Sequence, residues 1–290
     1  LKLAPEGRAR MAAAKALGKD GSARAVDALA QALKSDGFWA VRAEAARALG
    51  EIRSDAAREA LLGAIGTEHP KARRAVVKAL GNFRHDAKVA AALEHLLEHG
   101  DASYSVEGEA ARQVGRLRTP RALELLKRAL ERESHADVIR VGALDGLAEL
   151  RAPEGYGPAR ELTRPGLTDQ TRGAAARTLA KLAEVAGQRH DARELLCELA
   201  EDRMLRVAVA ALDALVELGD DKALSTIRAV ADRGLDGRLR RKALEAEREL
   251  REGTRQSKEV GNLRDELQKL REEVRELRER LDRNGTNAAI

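Results

Sequence analysis

A three-residue phrase, Ala-Leu-Gly, returns along this chain at a spacing that only a stack of like units accommodates. It stands at Ala48-Leu49-Gly50, with Ala16-Leu17-Gly18 before it and Ala79-Leu80-Gly81 after it. Weaker forms follow at Gln113-Val114-Gly115, Gly146-Leu147-Ala148, Thr178-Leu179-Ala180 and Ala214-Leu215-Val216, and successive anchors lie 31 to 36 residues apart. A period of that length is one supersecondary unit. Such a unit cannot bury its apolar face alone and has to stack on neighbours of its own kind.

The stretch from Asp36 to Ile65 serves as the template. Phe38, Val41, Ala45, Ala48, Leu49 and Ile52 fall at steps of three and four, which puts them on one side of a helix. Asp36 can cap its start, and Ser54 and Asp55 can start a second helix that carries Ala57, Ala60, Leu61, Ala64 and Ile65 on one face. Two half-apolar helices joined by a turn form a hairpin. The chain is therefore expected to be all-α, an α-solenoid of about seven such hairpins with almost no strand. Aromatic content of 2% and the scarcity of β-branched runs agree with closely spaced helices.

Five of the seven units also carry an arginine seven residues before the anchor, at Arg10, Arg42, Arg73, Arg140 and Arg172, with Glu107 and Ala208 at the exceptions. A cation at one fixed place in a repeat can bond the turn of the adjacent unit, so these arginines read as a structural ladder in preference to a ligand site. The Phe38-Trp39 pair, in the first turn of its helix, is expected to staple Trp39 onto the preceding unit in preference to anchoring a partner. The second helix of the fifth unit is interrupted by Pro153, Gly155, Gly157, Pro158 and Pro165, which makes this the place for a bend or a binding loop.

Past Gly253 the period changes. Val260, Leu263, Leu267, Leu270, Val274, Leu277 and Leu281 alternate steps of three and four, the heptad of a coiled coil. Glu259, Glu266 and Glu273 fall at g, and Arg264, Arg271 and Arg278 at e, so a parallel in-register pair sets each glutamate against an arginine of the partner. An antiparallel pair would oppose like charges. The expectation is a parallel homodimer, the competing arrangement being a single amphipathic helix folded back on the last unit. The implied division is 1–253 for the repeat array, 254–283 for the heptad helix and 284–290 for a disordered tail.

Several chemistries are disfavoured. The charge is nearly balanced, 53 basic against 48 acidic residues, with no segregated basic run or stacking aromatics in the sequence, so nucleic acid is an unfavoured partner. One cysteine, Cys197, excludes an internal disulfide, and its helical setting ELLCELAE suits an inert thiol. No apolar stretch reaches the ~18 residues of a membrane span, and no signal peptide is visible; a cytoplasmic setting is expected. His95, Glu98 and His99 match H-x-x-E-H, which in an inverted zinc peptidase supplies two ligands and a base. That motif needs a third ligand and a mixed α/β chamber that a helical repeat does not supply, so neither metal nor cofactor is assigned.

With the units in order, the chain resembles the C-terminal HEAT-like region of bacterial zinc metallopeptidases of the aminopeptidase N type. The resemblance is carried by GFWAVRAEAARALGEIRSDAAREAL (37–61), HPKARRAVVKALGNF (69–83), GDASYSVEGEAARQVGRLRTPRALELL (100–126) and LRDELQKLREEVRELRERL (263–281). It implies HEAT-like hairpins and an upstream catalytic domain, whose H-E-x-x-H and G-x-M-E-N motifs do not occur here, so no catalytic residue carries over. Two functions follow as expectations: a non-catalytic helical arm of such a peptidase, joined to a second copy through the coil, or a stand-alone adaptor that holds a protein segment.

Overall fold

A computed structural model describes residues 6–234 and 236–287, and among them all regular structure is helical. The hairpins are α1 (Gly7–Asp20) with α2 (Ala23–Ser35), α3 (Trp39–Ile52) with α4 (Asp55–Gly63), α5 (Pro70–Leu80) with α6 (Ala87–His99), and α7 (Tyr104–Leu117) with α8 (Ala122–Leu130). They continue through α9 (Val138–Leu150) with α10 (Tyr156–Glu161), α11 (Asp169–Leu182) with α12 (Arg189–Ala200), and α13 (Leu205–Leu218) with α14 (Leu224–Arg233). The chain then enters α15 (Gly237–Asn287).

Local chemistry sets these ends. The side chains of Ser22, Ser54, Asp86 and Thr168 accept from the first-turn amides of α2, α4, α6 and α11, satisfying donors that a helix leaves free. Pro70 opens α5, where its missing N–H costs nothing. Gly21 and Gly219 close α1 and α13 in the left-handed region.

The first helices pack on one another in chain order, α1 on α3 and so on through α13 on α15, while second helices close the other side, as α2 does on α4 and α6 on α8. One apolar core, mostly alanine and leucine, runs unbroken from Ala14 to Leu250. This is the expected α-solenoid. Its joints are not alike: at α7 against α9, Gly108, Gly115, Gly142 and Gly146 bring the two backbones together. A Cβ added to Gly142 would lie 2.2 Å from the Gly108 carbonyl oxygen.

Two details depart from the sequence-based expectation. Trp39 packs forward, its ring stacked on His69 at 5.1 Å with Lys71 Nζ 4.7 Å from the ring centroid, both at the start of the following unit. Phe38 is the residue that reaches back, against Gly7 of the preceding unit. Each of two adjacent first-turn side chains thus serves one neighbour, an arrangement that spacing alone leaves open. The second departure is at Gly253, where α15 runs through without a break. Its first turns bury Ala243, Ala246 and Leu250 against α13 and α14, so α15 takes the place of an eighth first helix. In the fifth unit the prolines shorten the second helix to six residues after a 3-10 turn at Pro153–Gly155.

Candidate functional site

Each ladder arginine emerges from a first helix, and Arg42, Arg73, Arg140 and Arg172 reach the turn that leads into it. Arg73 donates to the carbonyls of Thr67 and Glu68, Arg140 to that of Leu130, Arg172 to that of Thr163 and Arg42 to that of Asp36. Three also reach onward to an aspartate that precedes the next first helix. Arg10 holds Asp36 through two bonds of 2.8 and 3.1 Å, Arg73 holds Asp101 at 2.6 and 2.8 Å, and Arg172 holds Asp202 at 2.6 Å. These aspartates accept in turn from the amides of Phe38, Ser103 and Met204, so one carboxylate ties three segments. Arg140 instead pairs with Asp137 of its own unit, and Asp137 accepts from the hydroxyls of Thr168 and Thr171 in the next.

Burial pushes Asp36 and Asp202 up, but the arginine bonds, the backbone amides and the guanidinium charges together hold both below the ordinary aspartate value of 3.8. Where Glu107 replaces the arginine, the charges are inverted: Arg132 bonds Glu107 at 3.0 Å and donates to the Glu98 carbonyl at 2.9 Å. The row continues at Arg240, which donates to the Ala231 carbonyl at 3.2 Å. Its rung was hidden in the sequence because the anchor position falls on Glu247. These arginines connect one unit to the next and present no open ligand site.

The heptad positions whose side chains are described lie open. Leu263, Leu267, Leu270 and Val274 are exposed, Leu263 at 63%, as are Glu266 and Arg271 at the flanks. The side chains of Val260, Leu277, Leu281, Glu259, Arg264, Glu273 and Arg278 fall outside the described ones, as do residues 288–290 of the expected tail. Four apolar side chains at a and d, bare on a helix that is buried up to Leu250, form an unsatisfied seam.

Other candidates are engaged elsewhere. His95 and His99 stack at 4.0 Å, but Glu98 is gripped by both terminal nitrogens of Arg121 at 2.7 and 2.8 Å and is held down at about 2, a poor base. Among the described residues no group of three or more His, Cys, Asp or Glu is placed to hold a metal. Burial pushes the Cys197 thiol up, away from a thiolate nucleophile.

A feature that the sequence reading passed over lies at the turns between first and second helices. Four residues after the anchors Leu49, Leu80, Val114 and Leu147 stand Arg53, Arg84, Arg118 and Arg151, all exposed. Arg53 and Arg84, with Arg58 and Arg116, line one open cleft that also contains Asp55 and Asp86. The signal in the sequence is a second fixed offset, four residues past the anchor and outside the apolar periodicity.

Family models match parts of the chain: residues 26–105 match HEAT repeats, and residues 9–35 and 106–132 match the PBS lyase HEAT-like repeat. No curated protein sequence matches it. Among solved structures the chain is similar to the complex of CpcE and CpcF of phycocyanin lyase from Nostoc sp. PCC7120, with 19% identity, 78% of this chain and 94% of that one covered, and a TM-score of 0.52. It is also similar to the E. coli protein YibA (16%, 77% and 92%, TM-score 0.49) and to human deoxyhypusine hydroxylase in complex with glycerol (20%, 84% and 91%, TM-score 0.38). At these identities the likeness to the first is one of fold, an α-solenoid with HEAT repeats.

Proposed function

We propose that this HEAT-repeat solenoid is a non-catalytic scaffold that holds a protein partner along its stacked hairpins and joins a second copy of itself through the heptad half of α15, in parallel. The observation that carries the reading is the bare seam of Leu263, Leu267, Leu270 and Val274 on a helix whose earlier turns are buried in the array. A row of leucines facing water is unfavourable unless covered, at roughly 1.5–3 kcal/mol per side chain. The arm of an aminopeptidase N-type enzyme remains one setting for such a scaffold. It is supported by the quoted repeat phrases, whereas the matched family models describe HEAT repeats and not a peptidase. Among the described residues no helix is long and apolar enough to cross a membrane.

Sedimentation equilibrium of the full chain tests the dimer. The expected mass is twice that of one chain, reduced to one by Leu263→Glu with Leu270→Glu. Orientation is tested with Leu263→Cys, near one end of the seam, in a Cys197→Ser background. A parallel, in-register coil places the two new cysteines side by side and gives an interchain disulfide on oxidation; a monomer at high concentration, or no crosslink, defeats this part of the reading.

A further inference from the structure

We propose that the edge formed by the turns between first and second helices of units two to five docks an extended, acidic protein segment, held by Arg53, Arg84, Arg118 and Arg151. The inference names the partner class for the scaffold reading and rests on it, but does not require the coiled coil.

The backbone supplies one argument. Arg53, Arg118 and Arg151 close α3, α7 and α9 with φ of 56°, 52° and 57°, the left-handed conformation that favours glycine. At the same offset from the anchor, the first and seventh units carry Gly21 and Gly219, both with positive φ. Turn geometry alone therefore calls for glycine. At the ends of α3, α7 and α9, and at Arg84 after α5, the chain instead keeps an exposed guanidinium.

Electrostatics supplies another. The acids in the cleft of Arg53 and Arg84 are already occupied, since Arg58 bonds Asp55 at 2.8 Å and Asp86 at 3.0 Å. Around Arg151, Glu149 faces Lys181 at 3.7 Å, and Glu184 and Glu217 share the pocket with Arg189, so the cationic excess is greatest at the first three arginines. Among the described residues no ion pair engages Arg53, Arg84, Arg118 or Arg151, while Arg116 leans on the Asn82 side chain at 3.4 Å. The row is thus cationic and available to a ligand.

Spacing and composition choose the ligand. Packed helices stand ~8–10 Å apart, which matches every third residue of an extended chain rising ~3.3 Å per residue. Each guanidinium fork can take one carboxylate in a two-bond geometry. A single nucleic-acid strand would want stacking platforms, but Phe83, the aromatic of this cleft, is buried, and the exposed Phe38 and Tyr104 lie at the opposite ends of their units' first helices.

The test is fluorescence anisotropy with the full chain and a labelled peptide carrying glutamate at every third position, against its glutamine counterpart and oligo-dT. The expected result is saturable, salt-sensitive binding of the glutamate peptide alone. It should weaken at least about tenfold in Arg53→Gly/Arg118→Gly/Arg151→Gly, whose melting temperature is not lowered because glycine suits all three turns. Arg84→Glu, at a position free of positive φ, should weaken binding too and serves if the triple variant does not fold. Equal binding of the glutamine peptide, wild-type affinity in the variants, or preferential binding of oligo-dT would overturn the proposal. If a protein segment binds but photocrosslinks to the second-helix layer instead, the arginine row fails while the scaffold reading stands.

Discussion

The joint of α3 on α5 and the joint of α7 on α9 occupy equivalent places in the repeat, yet they are built by different means. In the earlier joint the close approach is between Gly50 and the alanine Ala79, whose Cβ lies 2.8 Å from where a Cβ on Gly50 would stand. In the later one glycine faces glycine, and the obstacle to any added atom is backbone: a Cβ built on Gly115 would stand 2.0 Å from the Gly146 oxygen, and one on Gly142 2.2 Å from the Gly108 oxygen. The rungs differ as well. Arg73 holds Asp101 in the third unit, whereas Glu107 holds Arg132 in the fourth. A repeat thus fixes where a contact must be made and leaves open which side chain makes it.

The largest effect should come from the glycine joint. Gly142→Ala meets backbone at 2.2–2.7 Å, forces the two helices apart and should cost about 3 kcal/mol, read from chemical denaturation; Gly50→Ala meets the Ala79 methyl at 2.8 Å and its backbone only at 3.0 and 3.1 Å, and should cost less, about 1–2 kcal/mol. Gly63→Ala, on α4 with nothing within 4 Å, should instead stabilise by ~0.5–1 kcal/mol. Equal losses for the first two would mean that the joints are equally tolerant and that the contrast has no energetic content.

The inverted rung gives the next contrast. Arg132→Ala leaves Glu107, which is buried, without its cation and also frees the Glu98 carbonyl, a loss of about 2 kcal/mol. The exchange Glu107→Arg with Arg132→Asp would rebuild the polarity of the third unit. If position and not polarity is what the repeat specifies, the double variant recovers about 1 kcal/mol relative to the sum of the single variants. No recovery would make the inversion a fixed requirement of the glycine joint beside it.

These two regions also mark how far the sequence could be read. Arg73 and Arg172 were legible as ladder residues because a bond between successive units must recur at the period of the units. The hairpins were legible because Ala-Leu stripes at steps of three and four have few uses outside a helix-helix core. Gly142 and Gly146 could be read as small residues on α9, but not as a backbone contact, since helical spacing does not say which neighbour approaches closest. Trp39 could be placed in a first turn, but in a stack both neighbours offer it a similar surface, and the stacking partner His69 and the cation Lys71 lie 30 and 32 residues on. Arg240 and the turn arginines escaped for a different reason. The first has a polar anchor, and the others stand where the apolar pattern has stopped.

The smallest effect is the acid response of the regular rungs. Asp36 and Asp202 have folded-state values below 3.8, so the unfolded chain takes up their protons first. Their stabilisation is complete above the unfolded value and is lost as the pH falls from about that value through the lower folded one. The melting temperature should therefore be flat from neutral pH down to roughly pH 5 as far as these rungs are concerned, and should fall below pH 4. Asp202→Asn removes one of the titrating groups while keeping an acceptor for the Met204 amide, so its melting temperature should be lower at neutral pH and fall less steeply in acid. The same substitution made outside the ladder, at the exposed Asp232, should leave both the level and the slope unchanged. A variant at Asp202 with the wild-type slope would show that the aspartate rungs, unlike the glycine joint, contribute geometry to the stack without contributing its acid sensitivity.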